Sequence, residues 1–291
     1  MWKRSAIFFV FALLALNGLA QTQYRAIFSG GRAYVAENNK FVQIQNGQLI
    51  KSTSQIELVG DALVILMDGA GHLTTFSLSG KYKLESLHVD ETVDSALFVK
   101  SVWDTYYQNF GKENVETTLL RKQAETSKWR SFELLIPSSS QFYGNDLVLQ
   151  WSETKEAYYS VDLINEFGEV FKNLTVDRAA VLIDLADGKL AWKDGIAVQV
   201  KQPTSGRSTG FYSLDRLSPP DYEKMERVIS EHFQETGFEM LLTKAAFFEN
   251  EWLFADAITL LFKLREERGG LMKNYWQQYL IRNGFYYTSK P

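Results

Sequence analysis

The sequence predicts a multidomain β + α protein, with two small all-β modules, the second a β-sandwich, followed by a C-terminal all-α helical domain. Three observations carry this reading. Short runs of β-branched and aromatic residues recur between Gly, Asn and Asp turn signals from Gln21 to Leu87, and again from Phe132 to Gln202. Apolar residues at helical spacing replace that pattern after Asp221. A stretch of different character, residues 88–130, separates the two β runs.

The chain opens with Lys3 and Arg4, an apolar run from Ala6 to Leu16, and the small residues around Gly18-Leu19-Ala20. That is the pattern of a secretory signal peptide over residues 1–20, cleaved after Ala20. The run is shorter than the roughly 20 residues of a bilayer span. The mature chain is therefore expected to begin at Gln21, outside the cytoplasm, in the periplasm or the extracellular space. Losing Lys3 and Arg4 removes two cations and takes the formal charge from −4 to −6. A mildly acidic chain without a basic stripe argues against nucleic acid as a partner. No later run is apolar enough to cross a membrane after signal cleavage. The absence of cysteine excludes disulfides, thiolate metal sites and a cysteine nucleophile together.

Residues 21–87 read as the first β module. Its strand-like runs include Phe41-Val42-Gln43-Ile44, Gln55 to Val59 and Ala62 to Met67. Gly30-Gly31, Asn38-Asn39, Asn46-Gly47, Gly60-Asp61 and Asp68-Gly69-Ala70-Gly71 separate them as turns, because Gly and Asn tolerate positive φ. The order Asn46-Gly47-Gln48-Leu49-Ile50, then Leu66-Met67-Asp68-Gly69 and Ser79-Gly80-Lys81-Tyr82, resembles the FecR-like β domain of exported Bacteroidota proteins. The resemblance implies a small all-β module in the periplasm.

Residues 88–130 read as a partly helical connector, with Leu97, Phe98, Val102 and Tyr106 near helical spacing. Residues 131–203 carry the second β module. Leu147-Val148-Leu149-Gln150-Trp151, Tyr158 to Ile164, Ala179 to Leu185 and Ile196 to Val200 are its best-patterned strands. The Leu-Val-Leu-Gln-Trp-Ser strand, with Tyr-Tyr-Ser-Val-Asp-Leu and Ile-Ala-Val-Gln-Val after it, is similar to immunoglobulin-like (fibronectin type III-like) sandwiches. That likeness implies a spacer or binding scaffold and no chemistry.

Residues 204–220 read as a linker, and residues 221–291 as helices. Ser218 before Pro219-Pro220 marks the first helix start, with Asp221 in its first turn. Leu241, Ala245 and Phe248, then Ala257, Ile258, Leu261 and Leu264, resemble a tetratricopeptide helical hairpin. Trp252 stands where the turn of that repeat has glycine, and no second copy follows. The resemblance implies a peptide or protein contact. Consecutive aromatics on one helix point about 100° apart and cannot all face one core. Phe247, Trp252, Tyr275, Trp276 and Tyr279 are thus the expected partner-binding residues.

No catalytic constellation accompanies these patterns. His72, His88 and His232 bring at most two ligands to any locality, fewer than a closed metal site needs. No activated Ser or Thr stands beside a base in a recognisable elbow, and no phosphate loop follows Gly30-Gly31. No cofactor is expected. The sequence points to an exported, non-enzymatic scaffold or adaptor with a protein partner. A secreted hydrolase or a carbohydrate-binding module, using exposed aromatics, is the alternative.

Overall fold

The computed structural model describes residues 23–37, 40–87, 93–110, 132–152, 157–186, 195–234, 236–283 and 285. The expected signal peptide, the Asn38-Asn39 turn, His88, most of the connector beyond Phe110, and Leu190-Ala191-Trp192 lie outside the described residues. The chain is mixed β and α, with sheets through the N-terminal two-thirds and helices at the C-terminus. It forms two compact units, Met1–Lys100 and Ser101–Pro291.

The first unit is built on two long antiparallel strands, β1 (Gln23–Glu37) and β4 (Gln55–Met67). Strands β2 (Lys40–Gln43) and β3 (Leu49–Lys51) pair with β1, while β5 (Leu73–Phe76) and β6 (Gly80–Lys83) pair with β4. The sequence suggests turns at Gly30-Gly31 and Gly60-Asp61, and neither is one. Both strands run through these points as a bulge, where Gly30 faces Leu63 and Arg32 faces Val59. Gly31 at φ +76° and Gly60 at φ +67° absorb the irregularity, and a bulge of this kind bends both strands. Ala33, Val35, Ile56, Leu58, Val64 and Leu66 fill the core beneath.

Helix α1 (Val93–Phe110) spans the boundary between the units. Within the first unit, Ala96 sits so close to the turn before β5 that a Cβ on Gly71 would lie 2.0 Å from its carbonyl oxygen. Within the second, the indole N–H of Trp103 donates to Thr243 Oγ1 at 3.1 Å.

The second unit contains a six-stranded sheet whose main path runs β10 (Val170–Val176), β9 (Tyr159–Ile164), β12 (Gly195–Gln202), β14 (Tyr212–Arg216), β7 (Ser139–Phe142). The short strand β13 (Arg207–Ser208) pairs with β12. A second, two-stranded sheet joins β8 (Asp146–Gln150) to β11 (Ala180–Asp184). Leu134 bridges Trp151 just past the end of β8. The expected linker 204–220 is corrected here: it holds β13 and β14. Tyr212 and Leu214 alternate inward while β14 pairs antiparallel with β12 and parallel with β7. The Ser/Gly-rich turn beside it hid that alternation. Leu147, Leu149, Trp151, Val161, Leu163, Val198, Val200 and Leu214 are fully buried.

The helices that follow are α2 (Pro219–His232), α3 (Phe238–Asn250), α4 (Phe254–Arg268) and α5 (Lys273–Arg282). Ser218 precedes α2, but its hydroxyl donates to the Asp221 carboxylate at 2.5 Å rather than capping the backbone. Helix α4 covers the outer face of β8, packing Phe262 against Val148 and Ala180. A strand buried on both faces reads as a continuous apolar run, which is why Leu147-Val148-Leu149 lacks alternation.

Candidate functional site

The five expected contact residues fall on the hairpin of α3 and α4 and on the helix α5 after it. Four of them are interior. Phe247, Tyr275, Trp276 and Tyr279 are all buried. Trp276 stacks on Tyr279 at 5.6 Å between ring centres, and the Arg265 guanidinium lies 4.6 Å over the indole. Their packing leaves them no surface for a partner. Adjacent aromatics diverge on these helices, but elements on more than one side absorb their rings: Phe233 meets Phe247, and Tyr106 joins the group around α5.

The centre of this packing is ionic. Arg282 makes two hydrogen bonds to the Glu249 carboxylate, at 2.7 and 3.0 Å, and Asn283 adds a third at 2.8 Å. Tyr106, Tyr275 and Tyr279 place their rings 5.1, 5.4 and 5.3 Å from the guanidinium. Burial alone would lower the Arg282 pKa, but Glu249 outweighs it and holds the cation firmly charged. The same burial pushes the Tyr275 phenol up to about 12. A bidentate pair enclosed by rings satisfies both buried charges.

Trp252 is the exception, with 69% of its surface exposed. It occupies the turn between α3 and α4, at φ +61°. The Trp252 N–H reaches the Glu249 carbonyl at 3.1 Å, and the Leu253 N–H reaches the Phe248 carbonyl at 2.8 Å. These two bonds are those of a Schellman helix end, whose left-handed position usually belongs to glycine. A side chain there costs roughly 1–2 kcal/mol. The indole makes an edge contact with Phe254 at 5.7 Å, and most of it faces water.

On the other side of that turn lies a polar cluster that sequence reading missed. Asp256, in the first turn of α4, is 4% exposed. Its carboxylate accepts the backbone N–H of Tyr143 at 2.8 Å and of Gly144 at 2.7 Å. The Tyr143 phenol donates to Glu226 of α2, and burial followed by that bond raises its pKa. Lys244 of α3 sits over the rings of Phe248 and Phe233, and burial lowers its pKa. The signal available was a single carboxylate inside the apolar run Phe254-Ala255-Asp256-Ala257-Ile258. With both oxygens occupied by backbone donors, Asp256 is placed to hold the turn rather than to reach a substrate.

His72 Nδ1 pairs with Asp68 Oδ2 at 2.9 Å, and Asp68 Oδ1 accepts the N–H groups of Ala70, Gly71 and His72. Among the described residues, no three His, Cys, Asp or Glu side chains gather as metal ligands. A shallow groove of about 440 Å³ runs beside β11, lined by Tyr158, Thr175, Arg178 and Leu182 among others. No described helix is long and apolar enough to cross a membrane.

The chain matches no protein-family model and no curated protein.

Proposed function

We propose that the protein is an exported, non-enzymatic adaptor that binds a protein partner in the periplasm or at the cell envelope, through the turn that carries Trp252. In this reading residues 21–87 are a FecR-like module. The sheet β10-β9-β12-β14-β7 and the separate pair β8-β11, with Trp151 at 0% exposure and its ring 5.2 Å from that of Tyr159 in β9, support an immunoglobulin-like sandwich. The α3–α4 hairpin packs in the manner of a tetratricopeptide unit and presents its turn to the partner.

The observation that carries the proposal is Trp252 itself. Its backbone conformation favours glycine, and its ring is mostly in water, so neither local geometry nor burial accounts for a tryptophan there. Strain retained at an exposed position points from the outlier to a role in contact, and tryptophan is the residue most enriched at binding hot spots.

The test is affinity capture from periplasmic extract with the full mature chain. Trp252→Gly should lose the partner that the wild type retains. Retention of the same partner by the variant would end the proposal. Export has its own test: intact mass of the secreted protein should match a chain starting at Gln21, whereas a species keeping Met1 would contradict it.

A further inference from the structure

Strand β11 pairs with β8 along one edge, and its other edge is open among the described residues. The Trp151 N–H donates to the Ala179 carbonyl at 3.1 Å, and the Leu185 N–H to the Asn145 carbonyl at 2.7 Å. In an antiparallel ladder, opposed residues alternate between bonded and unbonded pairs. With residues 179 and 185 in bonded pairs, Val181 and Ile183 turn their peptide groups toward β8. Ala180, Leu182 and Asp184 turn theirs away from it, and those outward N–H and C=O groups meet no partner among the described residues.

The side chains of this edge form a row that is complementary to itself. Val181 and Ile183 face the core, so Ala180, Leu182 and Asp184 share the other face. Ala180 packs on Phe262 of α4, while Leu182 beside it keeps 51% of its surface exposed. The Arg178 guanidinium stands at one end of the row, 5.9 Å over the same Phe262 ring and 3.9 Å from Glu266. Asp184 stands at the other end, exposed. Edges guarded against pairing commonly carry charges that repel a like strand, lysine above all. Here the two ends carry opposite charges and the middle is apolar, so a second, reversed copy of the row is attracted at every position.

We infer that the open edge of β11 is a self-association surface, occupied by β11 of a second copy of this chain, antiparallel about a two-fold axis at Leu182. The inference goes beyond the adaptor reading and stands without it. In this register Leu182 opposes Leu182 of the second copy, and Ala180 opposes its Asp184. These are bonded positions on both strands, so each outward N–H of the three residues meets a carbonyl. Arg178 stands diagonal to Asp184 of the second copy, a separation that long side chains span. The axis repeats each contact, so the ion pair forms at both ends of the junction. The β8-β11 sheets of the two copies continue into one another, and the open edge is closed.

The experiment is sedimentation equilibrium of the full mature chain, from the low micromolar to the hundred-micromolar range, with hydrogen exchange at the same concentrations. A monomer–dimer equilibrium is expected, and the Leu182 and Asp184 amides should exchange more slowly as the dimer fills. Leu182→Lys sets like charges opposite each other at the axis and should raise the dimer Kd by about fivefold or more. Arg178→Asp and Asp184→Arg should each weaken association, and the two reversals together should restore it. A wild type that stays monomeric throughout overturns the inference. Fast exchange of those amides would then leave the edge to a different protein, and slow exchange would place its cover within the chain. A dimer that Leu182→Lys leaves intact, or whose formation does not protect the two amides, also overturns it. The wild-type mass and exchange decide the matter even if a variant fails to fold.

Discussion

Glu249 and Asp256 lie on either side of one turn, both nearly inaccessible to water, and the structure holds them in opposite ways. Glu249 meets a guanidinium through two hydrogen bonds inside a shell of tyrosine rings. Asp256 meets only the peptide N–H groups of a neighbouring turn. The first arrangement pairs the carboxylate with a cation that is held firmly charged. The second leaves a carboxylate without a counter-ion among the described residues, and burial pushes its pKa up. Burial is nearly the same in the two places; the partner decides whether the joint is an ion pair or a pair of peptide hydrogen bonds.

Removing one partner of the ion pair should have the largest effect. Glu249→Ala strands Arg282 among the rings and should cost about 3–5 kcal/mol of unfolding free energy, measured by urea denaturation. Replacing Glu249 and Arg282 together by methionine should recover most of that loss, because no unpaired charge remains. A double variant as unstable as the single one would show that the joint holds more than its own charges. The joint at Asp256 should be weaker: Asp256→Asn keeps one acceptor and leaves one turn N–H without a partner, at about 1–3 kcal/mol at neutral pH. A loss as large as that of Glu249→Ala would mean the two sites do not differ as described.

The same contrast shows what the sequence could express. The helices after Ser218 were legible because their apolar spacing is a local signal, and α4 ends at Arg268, before Gly269 at φ +54°. Trp252 was legible as an anomaly, since a glycine was expected in that turn. Strand β14 was obscured because its pairing with β7, about 70 residues earlier, is long-range and its neighbours look like linker. The glycines at 31 and 60 were mistaken for turns because positive φ serves a bulge as well as a hairpin. The burial of Phe247, Tyr275, Trp276 and Tyr279 depends on Arg282, Tyr106 and other residues meeting from separate elements. No window along the chain contains that information. Asp256 was missed for the same reason, because its donors lie more than 110 residues away.

Between the two carboxylates stands Trp252, and the central claim is that its ring is kept for contact and not for the fold. Equilibrium unfolding of Trp252→Gly tests this most directly. Glycine relieves the left-handed backbone and gives up one edge contact with Phe254, so the variant should be more stable than the wild type by about 1 kcal/mol. A variant destabilised by about 1 kcal/mol or more would show that the indole supports the hairpin, and would contradict the claim.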